Sequence, residues 1–106
     1  MTLHQLCEEL NISRRAVQGY EKMELVRATG RTKHGYLLYG PEAQDQIRRI
    51  RFYQEVGFTL REIKALWSLP ASQQRVILLK KQRELQEKQA RISDVLASLD
   101  ELIATL

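Results

Sequence analysis

Apolar residues in the opening segment fall at Leu3, Leu6, Cys7 and Leu10, the i, i+3, i+4, i+7 spacing of a helix with one covered face. Thr2, with Gln5 three residues on, has the form of a capping box that starts such a helix. Asn11 is suited to end it and Ser13 to cap a second helix over about Arg14 to Lys22, with Val17 and Tyr20 inward and Arg14, Arg15 and Gln18 outward. Two helices joined by a turn of about three residues make a helix-turn-helix. Gly19 costs the second helix on the order of 1 kcal/mol relative to alanine, so packing on the first helix has to hold it.

After Leu25 and Val26 the helical period stops. Gly30, Gly35 and Gly40 cut the chain into short pieces, and the YLLY run at 36–39 predicts a strand. Its expected partner is Leu25 to Thr29, which makes RTKHG the tip of a hairpin. Pro41 is suited to the first position of a third helix, running to about Val56 with Ala43, Ile47 and Ile50 inward and Gly57 at its end. Thr59 and Glu62 form a second capping box for a fourth helix with Ile63, Leu66 and Trp67 apolar, closed by Leu69 and Pro70.

The tail follows a different period. Leu78, Leu85, Ile92, Leu99 and Leu106 recur every seventh residue, and Val95, Leu96, Leu102 and Ile103 widen the stripe in its second half. A sustained heptad argues for a coiled coil, with these nine residues as the dimer seam, over a helix folded back on its own domain. Residues 71–91 carry a net charge of +4 and residues 92–106 one of −3. Antiparallel pairing sets the basic half against the acidic half, so an antiparallel homodimer is expected. The resulting organisation is mainly α: a helix-turn-helix with a β-hairpin wing over residues 1–70, then a dimerisation helix over 71–106.

Composition narrows the function. The chain has 106 residues with 17 Lys and Arg against 13 Asp and Glu, a +4 balance that favours an anionic partner. No apolar run approaches the ~18 residues of a membrane span and no signal pattern opens the chain, so a cytoplasmic protein without a membrane partner is expected. Cys7 is the single cysteine, read as a buried thiol on the apolar stripe; it allows neither an internal disulfide nor a thiolate metal cluster. Phosphate loop, paired His and carboxylate motif and nucleophile elbow are all missing, so neither an enzyme nor a cofactor is expected. His4 reads as solvated; His34, at the hairpin tip, is a candidate phosphate contact or a solvated residue.

The basic residues of the first half are better placed for chemistry. Arg14, Arg15, Lys22, Arg27, Arg31 and Lys33, against Glu21 and Glu24, lie on or beside the second helix and the hairpin after it. A helix enters the major groove of B-DNA and reads base edges from its N-terminal residues, here Ser13, Arg14, Arg15 and Gln18, while a basic hairpin follows the backbone. Double-stranded DNA is the expected partner.

The run ISRRAVQGYE, then ELV, then GYLLY, then IRRIRFYQEVGFTLREIKAL and a terminal heptad helix, resembles the MerR family of bacterial transcriptional regulators. The likeness covers residues 2 to about 70 in order, plus the dimerisation helix. It implies a winged helix-turn-helix dimer that binds a pseudo-palindrome in an overlong promoter spacer; activating members distort that DNA so that RNA polymerase can use it, which makes part of the specificity indirect. It implies DNA contacts at Arg15, Tyr20 and Tyr36, at the wing tip residues Arg31, Lys33 and His34, and at Arg48, Arg51, Thr59 and Arg61 on the second helical pair. For Tyr20 and Tyr39, core packing with the hydroxyl at the rim is the competing reading.

The chain departs from the family at three positions: Gln18 and Gly19 stand where an arginine and a tyrosine are common, and Leu37 where an arginine is frequent. Gln18 can pair bidentately with adenine, which suggests a changed base preference. No sensor is visible, since drug-sensing members carry a ligand domain after the coiled coil and metal or redox sensors carry cysteines near its end. A minimal regulator set by its own concentration or a partner, an unknown small-molecule effector at the dimer interface, and a fragment all fit. An excisionase-like architectural protein and a coiled-coil adaptor are the alternatives from other classes.

Overall fold

The computed structural model describes all 106 residues, which form two compact units, Met1–Ser68 and Leu69–Leu106. Five helices and one small antiparallel sheet make the fold. In the first unit α1 (Leu3–Leu10), α2 (Arg14–Lys22), β1 (Gly30–Arg31), β2 (Leu37–Leu38), α3 (Pro41–Val56) and α4 (Leu60–Trp67) follow in order.

Local capping sets the helix boundaries. The Thr2 hydroxyl accepts the Gln5 amide at 3.2 Å while Gln5 Oε1 accepts the Thr2 amide at 2.9 Å, so two amides that α1 cannot satisfy are satisfied reciprocally. Asn11 ends α1 in the left-handed region (φ 50°), and Ser13 restarts the chain as α2 by accepting the Ala16 amide at 3.0 Å. Gly57, at φ 116°, ends α3, and Thr59 with Glu62 repeats the reciprocal cap on α4.

Leu6, Val17, Ile47, Ile50 and Ile63 are fully buried and form one apolar centre, joined by Tyr20, Tyr39, Tyr53 and Leu66. Each comes from the inward stripe of its helix or from the strand end, which is why four short helices can share a core. Around Tyr53, Phe58 and Trp67 pack edge-on, with centroids 6.0 and 6.4 Å away.

The hairpin corrects the expected register. β1 is Gly30–Arg31, paired Gly30 to Leu38 and Arg31 to Leu37, and not Leu25 to Thr29. Leu25 and Val26 are buried as irregular chain instead, where their side chains serve the core and their backbone does not ladder. The tip therefore runs from Thr32 to Tyr36, closed by Thr32 N–H to Tyr36 O at 2.8 Å and Gly35 N–H to Thr32 O at 2.9 Å, with Gly35 at φ 83° where a β-carbon would be strained. At its base Thr2 forms an antiparallel bridge to Leu38, and the Tyr39 amide donates to Met1 O at 2.6 Å.

The second unit is a single helix, α5 (Ala71–Ala104), 34 residues and about 50 Å long. It presents Leu85, Ile92, Val95, Leu96, Leu99, Leu102 and Ile103 exposed along its length, with Leu78 half-buried. Thr105 caps the helix, so Leu106, the fifth heptad position, lies past its end at 98% exposure. No helix is long and apolar enough to cross a membrane.

Candidate nucleic-acid interface

The outward face of α2 carries Arg14, Arg15 and Gln18 exposed, as the helical period requires once Val17 and Tyr20 are buried. Ser13 is exposed too, with its oxygen engaged as the helix cap. Tyr20 takes the inward position that the helical period gives it, the reading that competes with a DNA contact. It is 2% exposed, and its hydroxyl donates to the exposed Gln54 Oε1 at 2.6 Å, so it ties α2 to α3 at the rim of the core. Burial pushes its phenol above the ordinary range, opposed by the positive charge of Arg51.

On the wing, Arg31, Lys33, His34 and Tyr36 are all exposed, and Tyr36 reaches 67%. Arg31 is ordered by its own hairpin: Nη1 donates to Gly35 O at 2.9 Å. Thr32 accepts the Tyr36 amide at 3.1 Å and so holds the far side of the tip. Leu37 is half-buried on β2, turned partly away from solvent.

On the second helical pair, Arg48 and Arg61 are exposed and Arg51 half-buried. Arg48 Nη1 meets Asp45 Oδ1 at 3.0 Å, an exposed pair that holds the guanidinium loosely and releases it to a stronger anion at little cost. Thr59 is exposed, with its hydroxyl accepting the Glu62 amide at 3.2 Å. The neighbouring Arg49 is used structurally: its Nε donates to the Tyr53 hydroxyl at 3.0 Å and its guanidinium lies over the Tyr53 and Trp67 rings at 5.7 and 5.8 Å.

Two placements bring these pieces together. Arg14 of α2 and Gly35, Tyr36 and Leu37 of the wing line one groove of about 570 Å³, along with Thr2, Leu3 and His4. Behind it, the Tyr39 hydroxyl donates to the Glu21 carboxylate, joining the foot of the wing to the end of α2. Cys7, read as buried, is half-buried; burial pushes its thiol up, opposed by Arg14. No group of three or more His, Cys, Asp or Glu side chains could hold a metal ion.

A helix-turn-helix with an exposed basic second helix, flanked by a two-stranded basic wing, defines a winged helix-turn-helix DNA-binding protein. The sequence profile of the MerR HTH family regulatory proteins matches residues 1–69, and that of the MerR DNA-binding region matches residues 44–102. The chain belongs to the MerR family of helix-turn-helix transcriptional regulators.

Its curated relatives are of the same kind. It is 26% identical over 102 residues to the HTH-type transcriptional activator mta of Bacillus subtilis, covering 96% of this chain and 40% of that protein. Over 62 residues it is 32% identical to the mercuric resistance operon regulatory protein of Bacillus cereus, covering 58% of this chain and 47% of that one. The chain thus spans two-fifths to half of the length of these relatives. Among solved structures it resembles MtaN, the N-terminal part of the Bacillus subtilis multidrug transporter activator, with a TM-score of 0.71, 26% identity and 97% of both chains covered. The fold also matches HiNmlR, a MerR family regulator lacking the sensor domain and bound to promoter DNA, with a TM-score of 0.75 at 16% identity over 97% of this chain and 86% of that one.

Proposed function

We propose that this MerR-family chain regulates transcription as a homodimer that binds a pseudo-palindromic promoter operator and distorts it, altering the use of the promoter by RNA polymerase. The observation that carries the reading is the common groove of Arg14 and the wing residues Tyr36 and Leu37, which makes the start of α2 and the hairpin neighbours on one face. Base contacts fall to Arg15 and Gln18 on α2. Backbone contacts fall to Arg31, Lys33 and His34 on one side and to Arg48, Arg51 and Arg61 on the other. Residues 1–70 bind DNA in this reading and 71–106 dimerise.

The apolar row exposed along α5 supports a second copy as its cover, since seven large apolar residues in a heptad array are more than a monomeric surface carries. The opposed charges of its two halves favour the antiparallel orientation. In that arrangement two identical heads present α2 to two half-sites, which is why the operator is a pseudo-palindrome.

Selection of bound sequences from genomic DNA, followed by titration of the recovered duplex, tests the reading. Arg15→Ala should weaken binding at least tenfold, and log affinity should fall steeply with log salt. Equal affinity of the wild type and Arg15→Ala would overturn it. Transcription from the recovered promoter in vitro separates a regulator, which changes output, from a purely architectural DNA-bending protein, which does not.

A further inference from the structure

The apolar row of α5 constrains how a second copy can lie on it. Leu78, Leu85, Ile92, Leu99 and Leu106 are spaced by seven throughout. When a second α5 is reversed against the first, this set maps onto itself about one point, Ile92; every other axis leaves at least one of the five without a facing member. About Ile92, Leu85 faces the partner's Leu99 and Leu78 faces the partner's Leu106. Half-buried Leu78 and Leu106, which stands exposed past the end of the helix, then form the outermost layers.

The two halves of the row have different flanks. In the second half the flanking positions hold Val95, Leu96, Leu102 and Ile103; in the first half the same positions hold Lys81, Gln82, Lys88 and Gln89. About Ile92 each long polar side chain faces an apolar one: Lys81 the partner's Leu102, Lys88 the partner's Val95, Gln82 the partner's Ile103 and Gln89 the partner's Leu96. Methylene stems cover apolar surface while their polar heads stay in water. Lys81 is already posed for this. It is half-buried, and its Nζ lies 3.6 Å from Glu84 Oε2, on the outer side of the row, which leaves the stem across the flank.

The strongest competing axis is Leu99. It sets Val95 on the partner's Leu102 and Leu96 on the partner's Ile103, an all-apolar match, but over residues 92–106 alone. Leu78 and Leu85 are then left uncovered, and Asp94, Asp100 and Glu101 of both copies gather on one short segment, where like charges repel. The Ile92 axis covers the whole row. It also lays residues 78–91, with five bases against Glu84 and Glu87, over residues 92–106, with three acids and no base. We propose that a second copy seats along α5 in this one register, with Ile92 on the twofold axis and the stems of Lys81 and Lys88 as covers for the partner's apolar flank. The proposal rests on the antiparallel homodimer reading and fixes which residues meet in it.

The test places one nitroxide per chain at three exposed positions of α5, through Arg83→Cys, Ala90→Cys and Ala97→Cys in a Cys7→Ala background, and measures the distance between the two copies by pulsed dipolar spectroscopy. At about 1.5 Å of rise per residue, the Ile92 axis separates the paired labels along the helix by about 27, 6 and 15 Å in that order, and the Leu99 axis by about 48, 27 and 6 Å. The shortest distance should therefore fall at position 90 and the longest at position 83. A shortest distance at position 97 overturns the register and leaves the antiparallel dimer standing. Equal distances at all three positions, or a monomer in sedimentation, overturn both. A charge swap tests the register without labels: Leu85→Lys and Leu99→Glu should each weaken dimerisation at least tenfold, and the double variant should recover most of the loss, because residues 85 and 99 face each other across the axis. A double variant no more dimeric than the single ones overturns the register. For the stems, Lys88→Ala should weaken the dimer severalfold while Lys88→Met should not; equal dimerisation of the two variants overturns that part of the proposal.

Discussion

The Tyr39 hydroxyl donates to the carboxylate of Glu21, eighteen residues away in sequence and in the last turn of α2. Tyr39 is 1% exposed and Glu21 half-buried, so this bond is made at the edge of the core and joins the foot of the wing to the end of α2. Burial first, and then the hydrogen bond and negative charge of Glu21, push the phenol well above the ordinary tyrosine range.

A pH prediction follows from the sign of that shift. A phenol whose pKa is raised on folding stabilises the fold fully below its unfolded value near 10, and the contribution is lost as pH rises toward the raised value. Urea denaturation of the wild type should weaken above about pH 10. Tyr39→Phe should lose about 1 kcal/mol at neutral pH and fall less steeply in alkali. A residual slope should remain, because Tyr20 is shifted in the same direction. Identical alkaline slopes for the wild type and Tyr39→Phe would remove the bond from the account.

Gly19 offers a gain in stability. A β-carbon there would meet only Leu60 Cδ1, at 3.9 Å, an ordinary contact. Gly19→Ala should therefore stabilise the protein by about 0.5–1 kcal/mol, read as a higher denaturation midpoint with an unchanged slope. A lower midpoint would mean that the glycine is needed for its backbone and not merely tolerated.

The apolar row of α5 carries the third prediction. Leu85→Lys with Leu99→Lys places two charges on the proposed seam and should yield monomers in analytical ultracentrifugation, with operator affinity lowered by more than tenfold as the second head is lost. An unaltered dimer in the double variant would show that the seam lies elsewhere.

What the sequence made legible was local. The capping boxes of Thr2 with Gln5 and of Thr59 with Glu62 each close within three residues, so their signal sits inside one turn, and both are present. The same holds for Gly57, whose left-handed backbone ends α3. The hairpin was harder because two-residue strands leave no alternation to read; Leu25 and Val26 have strand-like side chains yet pack as irregular chain.

The remaining gaps are long-range. Tyr20 bonds to Gln54 across 34 residues, and no spacing rule links them, so the helical period that turns Tyr20 inward could not name its partner on α3. His4 and Tyr36 line one groove from opposite ends of the first 36 residues, and only the folded chain brings them together.

Thr2 shows what that closure does mechanically. Its side chain starts α1, and its backbone bridges Leu38 at the base of the wing. A wing attached only through its two connecting loops would be free to swing about its base. Stitched to the first turn of the first helix, the wing instead passes any load at its tip into the helical core, so the hairpin and the core move as one body.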